Sequence, residues 1–180
     1  MGIVDRAIAN SVPAIPRPIV RKISGRYMAG ERLEDAVQTI RDLNREGCVA
    51  TVDVLGESTE SEQDAAENLE QYKHVVDALD EHGLESGISV KLTGLGLDLH
   101  EEICRRNLEE IIEYTAARGR FVRVDMEDSP YTATTLELVL ETHERHKNTG
   151  AVIQAYMRRS LKAVLRLAGA GVSVRLCKGI

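Results

Sequence analysis

Charged side chains occupy one face of residues 121–128, which the sequence predicts to form a β-strand that ends in carboxylates. Because successive side chains of a strand point to opposite faces, Arg123, Asp125 and Glu127 lie together and the apolar residues lie opposite them. Charges on a buried face are unfavourable unless they are paired or used in chemistry. The stretch therefore predicts a functional site; the alternative is an edge strand whose charged face is solvated.

Four other predicted strands repeat this alternation and add polar residues to the same face. The shared polar face carries Asp53, Lys91, Asp125, Gln154 and Arg175. A lysine amine with a carboxylate as proton shuttle is the residue set of a Schiff-base aldolase or lyase. Lys91 or Lys178 could be that amine, and Asp125 the shuttle. The polar face thus predicts an active site, with Schiff-base chemistry as one alternative.

The elements that position this face follow a strand–helix repeat. The predicted strands are residues 48–55, 88–93, 121–126, 151–157 and 172–177. The helices between them begin at capping signals, Thr59 with Glu62, Ser129 before Pro130, and Ser160. Repeated βα units predict a parallel sheet. Because one face of this sheet is polar, a βα-barrel with its active site at the carboxyl ends of the strands fits better than a doubly wound sheet.

Residues 1–47 are predicted to be a helical segment that precedes the barrel part, residues 48–180. Residues 31–46 have apolar side chains at helical spacing and stop at Gly47. The basic side chains between Arg17 and Arg26 predict a solvated helix face, with contact to anionic lipid as the alternative.

Composition excludes several function classes. The 180 residues are 43% hydrophobic and 29% charged, which is typical of a globular protein. A net charge of −6 argues against a general nucleic-acid binder, which needs clustered cations. Cys48, Cys104 and Cys177 fit neither a disulfide nor a metal-ligand spacing, so we predict no metal site and a cytosolic protein with reduced thiols.

Four motifs on successive predicted strands resemble those of the proline dehydrogenase family, in its monofunctional bacterial type. The motifs are Val90-Lys91-Leu92-Thr93 with Leu95-Gly96, Val122-Arg123-Val124-Asp125-Met126-Glu127, Gln154-Ala155-Tyr156-Met157-Arg158-Arg159 and Val174-Arg175-Leu176-Cys177-Lys178-Gly179. The resemblance implies a (βα)8 barrel of the TIM type, of which the first five strands are present. It also implies FAD-dependent oxidation of L-proline to 1-pyrroline-5-carboxylate, the first step of proline degradation to glutamate, with electrons passed to a quinone.

The resemblance implies roles for individual residues. Asp125 and Arg175 would be catalytic, and Lys91 would hold the proline carboxylate and pair with Asp125. Arg175 would lie by the flavin N5, where its charge favours the reduced flavin. The positions that match FAD contacts are Met126, Gln154, Lys178, Gly179 and Ile180. The implied partners are proline, a quinone and a downstream pyrroline-5-carboxylate dehydrogenase, in the cytoplasm with at most peripheral contact at the inner face of the membrane.

The sequence departs from the family in its length. A (βα)8 barrel typically takes about 250 residues, whereas this sequence stops shortly after its fifth predicted strand. The substrate-site tyrosine and the paired arginines that the resemblance implies would lie beyond that point. We therefore expect a truncated polypeptide that alone neither holds FAD nor oxidises proline; the alternative is a non-catalytic remnant.

Overall fold

The structure is a computed structural model that describes residues 29–30, 32–55 and 59–179. The predicted first helix, the basic stretch and Ile180 lie outside the described residues. Residues 1–39 and residues 40–180 form two compact units, and every described strand belongs to the second. The predicted domain boundary after Gly47 stays a prediction.

Helices and strands alternate along the described part of the chain. In order they are α1 (Leu33–Arg45), β1 (Ala50–Asp53), α2 (Glu62–Glu81), β2 (Ser86–Val90), a 3₁₀ turn (Thr93–Leu95), α3 (Glu101–Ala116), β3 (Val122–Val124), α4 (Thr132–His146), β4 (Thr149–Gln154), α5 (Ser160–Gly169) and β5 (Ser173–Cys177). No helix within these ranges is long and apolar enough to cross a membrane.

The five strands pair in parallel in the order β1-β2-β3-β4-β5. β3, whose carboxyl end carries the charged face, is the central strand, so the edge-strand alternative is wrong. β1 and β5 form the two edges of the described sheet. Sequential parallel strands joined by helices are the arrangement from which a βα-barrel is built.

The core lies between the apolar face of the sheet and the helices. Ile88, Val90, Val122 and Val124 are completely buried on that face. The helices cover them with apolar side chains at helical spacing, such as Leu108, Ile111 and Ile112 of α3. Because this face is dry, the polar residues that alternate with it must lie on the opposite side of the sheet.

Helix α2 begins differently from the prediction. Ser61, rather than Thr59, is the N-cap, and its hydroxyl accepts a hydrogen bond of 3.2 Å from the Asp64 N–H. Thr59 is buried and donates instead to the Thr93 carbonyl, at 3.0 Å. Thr59 and Ser61 both carry a hydroxyl that could cap the helix. The sequence alone does not show that Thr59 bonds to another element and leaves the cap to Ser61.

Helices α4 and α5 also lack the predicted caps. Ser129 and Pro130 form a turn, and α4 begins at Thr132 without a side-chain cap. Ser160 is the first residue of α5, and its hydroxyl donates to the carbonyl oxygen of Gln154 at the end of β4. That bond fixes α5 against the strand that precedes it.

Candidate active site

Lys91 and Asp53 form an ion pair at the carboxyl end of the sheet. The Lys91 Nζ lies 2.8 Å from Asp53 Oδ2, and the two side chains are 18% and 26% exposed. The Tyr72 hydroxyl lies 3.4 Å from the other Asp53 oxygen. Burial, followed by the charge of Asp53, raises the pKa of Tyr72, so this phenol stays protonated and can donate to Asp53. Asp53 is thus held from both sides and fixes the position of Lys91.

Asp125, Arg175 and Ser89 form a second cluster on the same face. The Arg175 Nη2 lies 2.7 Å from Asp125 Oδ1 and 3.5 Å from Ser89 Oγ, and Ser89 Oγ lies 2.8 Å from Asp125 Oδ1. In a flat sheet, β2 and β5 would be about 14 Å apart, three strand spacings. Since Arg175 of β5 reaches Ser89 of β2, the sheet is concave on its polar face. We call this concave polar face the lumen face.

The predicted pairing of Lys91 with Asp125 is wrong. Lys91 pairs with Asp53, and Asp125 pairs with Arg175. The reason is charge balance, because a Lys91–Asp125 pair would leave the partly buried Asp53 without its described cation. Each of the two carboxylates therefore has its own cation, and the lumen face keeps no net charge from these four groups.

Glu127 connects the end of β3 to the segment that follows Lys91. Its two carboxylate oxygens accept hydrogen bonds from the Thr93 N–H at 3.0 Å and the Thr93 hydroxyl at 2.5 Å. Burial raises the pKa of Glu127, although both bonds from Thr93 act in the opposite direction. The sequence placed Glu127 on the charged face but gave no indication of this partner, which is 34 residues away.

Side chains from several elements hold residues 92–95, which we call the 92–95 turn. The carbonyl oxygens of these four residues accept hydrogen bonds, in chain order, from Cys104, Thr59, Asn68 and Asn107. Burial raises the pKa of the Cys104 thiol to about 12, so the thiol stays protonated and can donate. Because the 92–95 turn directly follows Lys91, these bonds fix the backbone that carries the Lys91 side chain.

The residues predicted to contact FAD lie at the ends of β3, β4 and β5. Gln154 donates to the Met126 carbonyl at 3.2 Å, so these two positions lie together. Lys178 is exposed, and Gly179 has a φ of +86°. A Cβ on Gly179 would lie 2.2 Å from the Tyr156 ring, so only glycine fits there. The roles of these residues toward FAD stay predictions.

One buried donor on the lumen face has no hydrogen-bond partner among the described residues. The Nε of Arg175 is buried and has no hydrogen-bond partner there, whereas Nη2 is held by Asp125. A buried donor without a partner is unfavourable unless a ligand or water accepts from it. The orphaned Nε therefore fits a bound group that carries a hydrogen-bond acceptor, as a flavin does.

Comparisons with known proteins show which family this chain is similar to. The family model described as proline dehydrogenase matches residues 36–179. Proline dehydrogenase 1 of Bacillus subtilis is 37% identical over 154 residues, which are 86% of this chain and 51% of that protein. The proline dehydrogenase of Deinococcus radiodurans is 30% identical over 175 residues, 93% of this chain and 56% of that protein.

Among solved structures, proline utilization A from Bdellovibrio bacteriovorus superposes with a TM-score of 0.74 at 27% identity, over 84% of this chain and 20% of that one. This likeness and the parallel sheet confirm the predicted α/β class of TIM-barrel type with five βα strands. The chain spans about half the length of the curated relatives it matches. The motifs, the sheet and the family match agree, and the chain belongs to the proline dehydrogenase family.

Proposed function

We propose that this chain supplies the first five strands of an active site that oxidises L-proline to 1-pyrroline-5-carboxylate with FAD. The observation that carries the proposal is the arrangement of two cations on the lumen face. Lys91 and Arg175 occupy the positions of the family motifs, each beside its own carboxylate. The unpaired Nε of Arg175 supports a ligand on that face.

Oxidation of proline removes a hydride from C5 and a proton from the nitrogen, which leaves a C=N bond. FAD, when bound, accepts the hydride. Lys91 would attract the proline carboxylate, and Asp53 would keep the Lys91 ammonium in one place. An orienting contact of this kind matters because the protein mainly positions substrate and cofactor.

Arg175 would place a positive charge where hydride transfer creates negative charge, an interaction stronger in the transition state than in the ground state. Asp125 would keep the guanidinium in position. Met126, Gln154, Lys178 and Gly179 would hold the cofactor.

Three further assignments rest on the family resemblance. They are a quinone as electron acceptor, a pyrroline-5-carboxylate dehydrogenase as the next enzyme, and a cytoplasmic location. All three are predictions that depend on the same proposal.

A chimera tests the proposal. In it, this chain replaces the matched segment of Bacillus subtilis proline dehydrogenase 1. We expect the purified chimera to bind FAD and proline to bleach the flavin absorbance under anaerobic conditions. A folded chimera whose bound FAD proline does not reduce would contradict the proposal. Borohydride trapping of a covalent substrate adduct would point instead to Schiff-base chemistry, which the ion pair of Lys91 with Asp53 disfavours.

A further inference from the structure

Ser89 occupies the middle of the lumen face. It is 3% exposed, and it lies opposite Asp53 of β1 and Arg123 of β3 in the register of the sheet. A single serine in a largely apolar strand gives no functional signal in the sequence. Its position between neighbouring charged residues makes its hydrogen bonds informative.

The hydrogen bonds of Ser89 have a fixed direction. A guanidinium can only donate and a carboxylate can only accept, whereas a hydroxyl does both. Arg175 Nη2, at 3.5 Å, therefore donates to Ser89 Oγ. The hydroxyl lies 2.8 Å from Asp125 Oδ1 and 3.3 Å from the Arg123 carbonyl oxygen, and it donates its one proton to the nearer acceptor, Asp125. With the direct bond of 2.7 Å from Arg175 to Asp125, the three side chains form a closed triangle.

The small size of Ser89 is also required. Arg175 extends from β5 across the concave sheet until its guanidinium is 3.5 Å from Ser89 Oγ. A larger side chain at position 89 would meet the guanidinium and push it away from Asp125. The residue must therefore be short and must carry a hydroxyl, a combination that serine provides.

We propose that Ser89 is a positioning residue that fixes the Arg175 guanidinium against Asp125. This inference rests on the proposed function, because Arg175 acts on the flavin only if the chain forms a proline-oxidising site. An arginine held by one carboxylate can still rotate about that contact. A second contact, from Nη2 to Ser89 Oγ, restricts that rotation and so the direction of the unpaired Nε.

The kinetic test compares Ser89→Ala with a matched control in the chimera. Ser173→Ala removes another lumen-face hydroxyl, one that bonds to Arg123 and does not contact the Arg175–Asp125 pair. We expect Ser89→Ala to lower the rate of flavin reduction about tenfold, the size of effect that loss of one hydrogen bond to a charged group has. The proline KM should stay nearly unchanged, and Ser173→Ala should change neither quantity. Equal effects of the two variants, or an effect on KM alone, would overturn the inference.

A second measurement does not depend on catalysis. Hydrogen exchange of the Arg175 guanidinium protons is followed by NMR in the 180-residue chain and in the FAD-free chimera. We expect about tenfold faster exchange in Ser89→Ala and no change in Ser173→Ala. Unchanged exchange in Ser89→Ala would overturn the positioning role even if the enzyme is active. If the chimera does not oxidise proline while the exchange responds, the proposed function fails and the contact between Ser89 and Arg175 stands.

Discussion

Arg175 and Lys91 differ in how the protein holds them. Arg175 is fixed by Asp125 and Ser89 and is 40% exposed, whereas Lys91 bonds to Asp53 and is only 18% exposed. A cation that stabilises charge developing in the transition state must be held in one orientation. A cation that binds a carboxylate depends mainly on its positive charge. The two residues should therefore respond differently to substitution.

Arg175→Met in the chimera should lower the rate of flavin reduction by proline by roughly a hundredfold, since one electrostatic contact of this kind contributes about 3 kcal/mol in the transition state. Rapid-mixing kinetics measure the rate. Arg175→Lys keeps the charge but lacks the several N–H donors of the guanidinium. Its rate of flavin reduction should lie between the rates of Arg175→Met and of the unchanged chimera. Near-normal reduction in Arg175→Met would contradict the role.

Lys91→Ala should raise the proline KM roughly tenfold or more, because a hydrogen bond to a charged group contributes about 1.5–3 kcal/mol. The carboxylate is bound in the ground state and the transition state alike, so the maximal rate should change less. Steady-state kinetics check this, with Lys91→Arg as the variant that keeps the charge. A normal KM in Lys91→Ala would mean that another group holds the carboxylate.

Glu127 should lower the stability of the folded chain as the pH rises. Burial raises its pKa above the ordinary 4.5, so the folded state favours the protonated carboxyl. Its contribution to stability is complete below pH 4.5 and is lost as the pH rises through the raised pKa. Glu127→Gln should remove this pH dependence, measured by urea unfolding at a series of pH values. Glu81→Gln, at the exposed end of α2, is the control. If the free energy of unfolding changes with pH equally in the unchanged chain, Glu127→Gln and Glu81→Gln, the claim is refuted.

At the scale of elements, the 92–95 turn is the part of the fold that most directly positions a site residue. Its four carbonyl oxygens accept from side chains of α2, α3 and the segment before α2. A turn that was free to move would let Lys91 leave Asp53. The outer helices thus act on the site through the backbone of this turn.

Asn107→Ala should lower the free energy of unfolding by about 1–3 kcal/mol, because it leaves the buried Leu95 carbonyl without its side-chain donor. Urea unfolding measures the change, and Gln71→Ala on the exposed face of α2 serves as the control. If Asn107→Ala and Gln71→Ala are equally stable, the turn does not depend on this bond.

The sequence predicted the parallel sheet from its repeated βα units, and it predicted the lumen face because side chains alternate between the two faces of any strand. Asp53, Lys91, Asp125 and Arg175 all lie where that alternation puts them. The bonds of the 92–95 turn could not be predicted, because they join residues 12 to 34 positions apart. The Lys91–Asp125 pairing failed for a related reason, since a pattern along the chain places residues on a face without choosing their partners.

At the scale of the whole molecule, large apolar side chains are exposed beside both edges of the described sheet, with Val49 and Leu55 flanking β1. Leu161 and Leu165 of α5 are 72% and 64% exposed, and Leu176 of the edge strand β5 is 64% exposed. Exposed apolar patches and unpaired strand edges both favour association between chains.

The isolated 180-residue chain should therefore self-associate and bind no FAD, because its open lumen face gives the cofactor little enclosure. Leu161→Lys with Leu165→Lys should shift light-scattering mass toward the monomer, whereas Gln71→Lys on α2 should not. A monodisperse, yellow, wild-type chain that oxidises proline would contradict this prediction.

Because Arg175 comes late in the chain, the two ion pairs of the lumen face can form at different times during synthesis. Asp53 and Lys91 are 38 residues apart, whereas Arg175 is 50 residues from Asp125 and 86 from Ser89. A ribosome releases the N-terminal strands first, so the Lys91 pair can form while β5 is still inside the ribosome. Until β5 emerges, Asp125 lacks the arginine that pairs with it in the described fold. β5 therefore supplies the cation that pairs with Asp125, and it does so after the four strands before it have been synthesised.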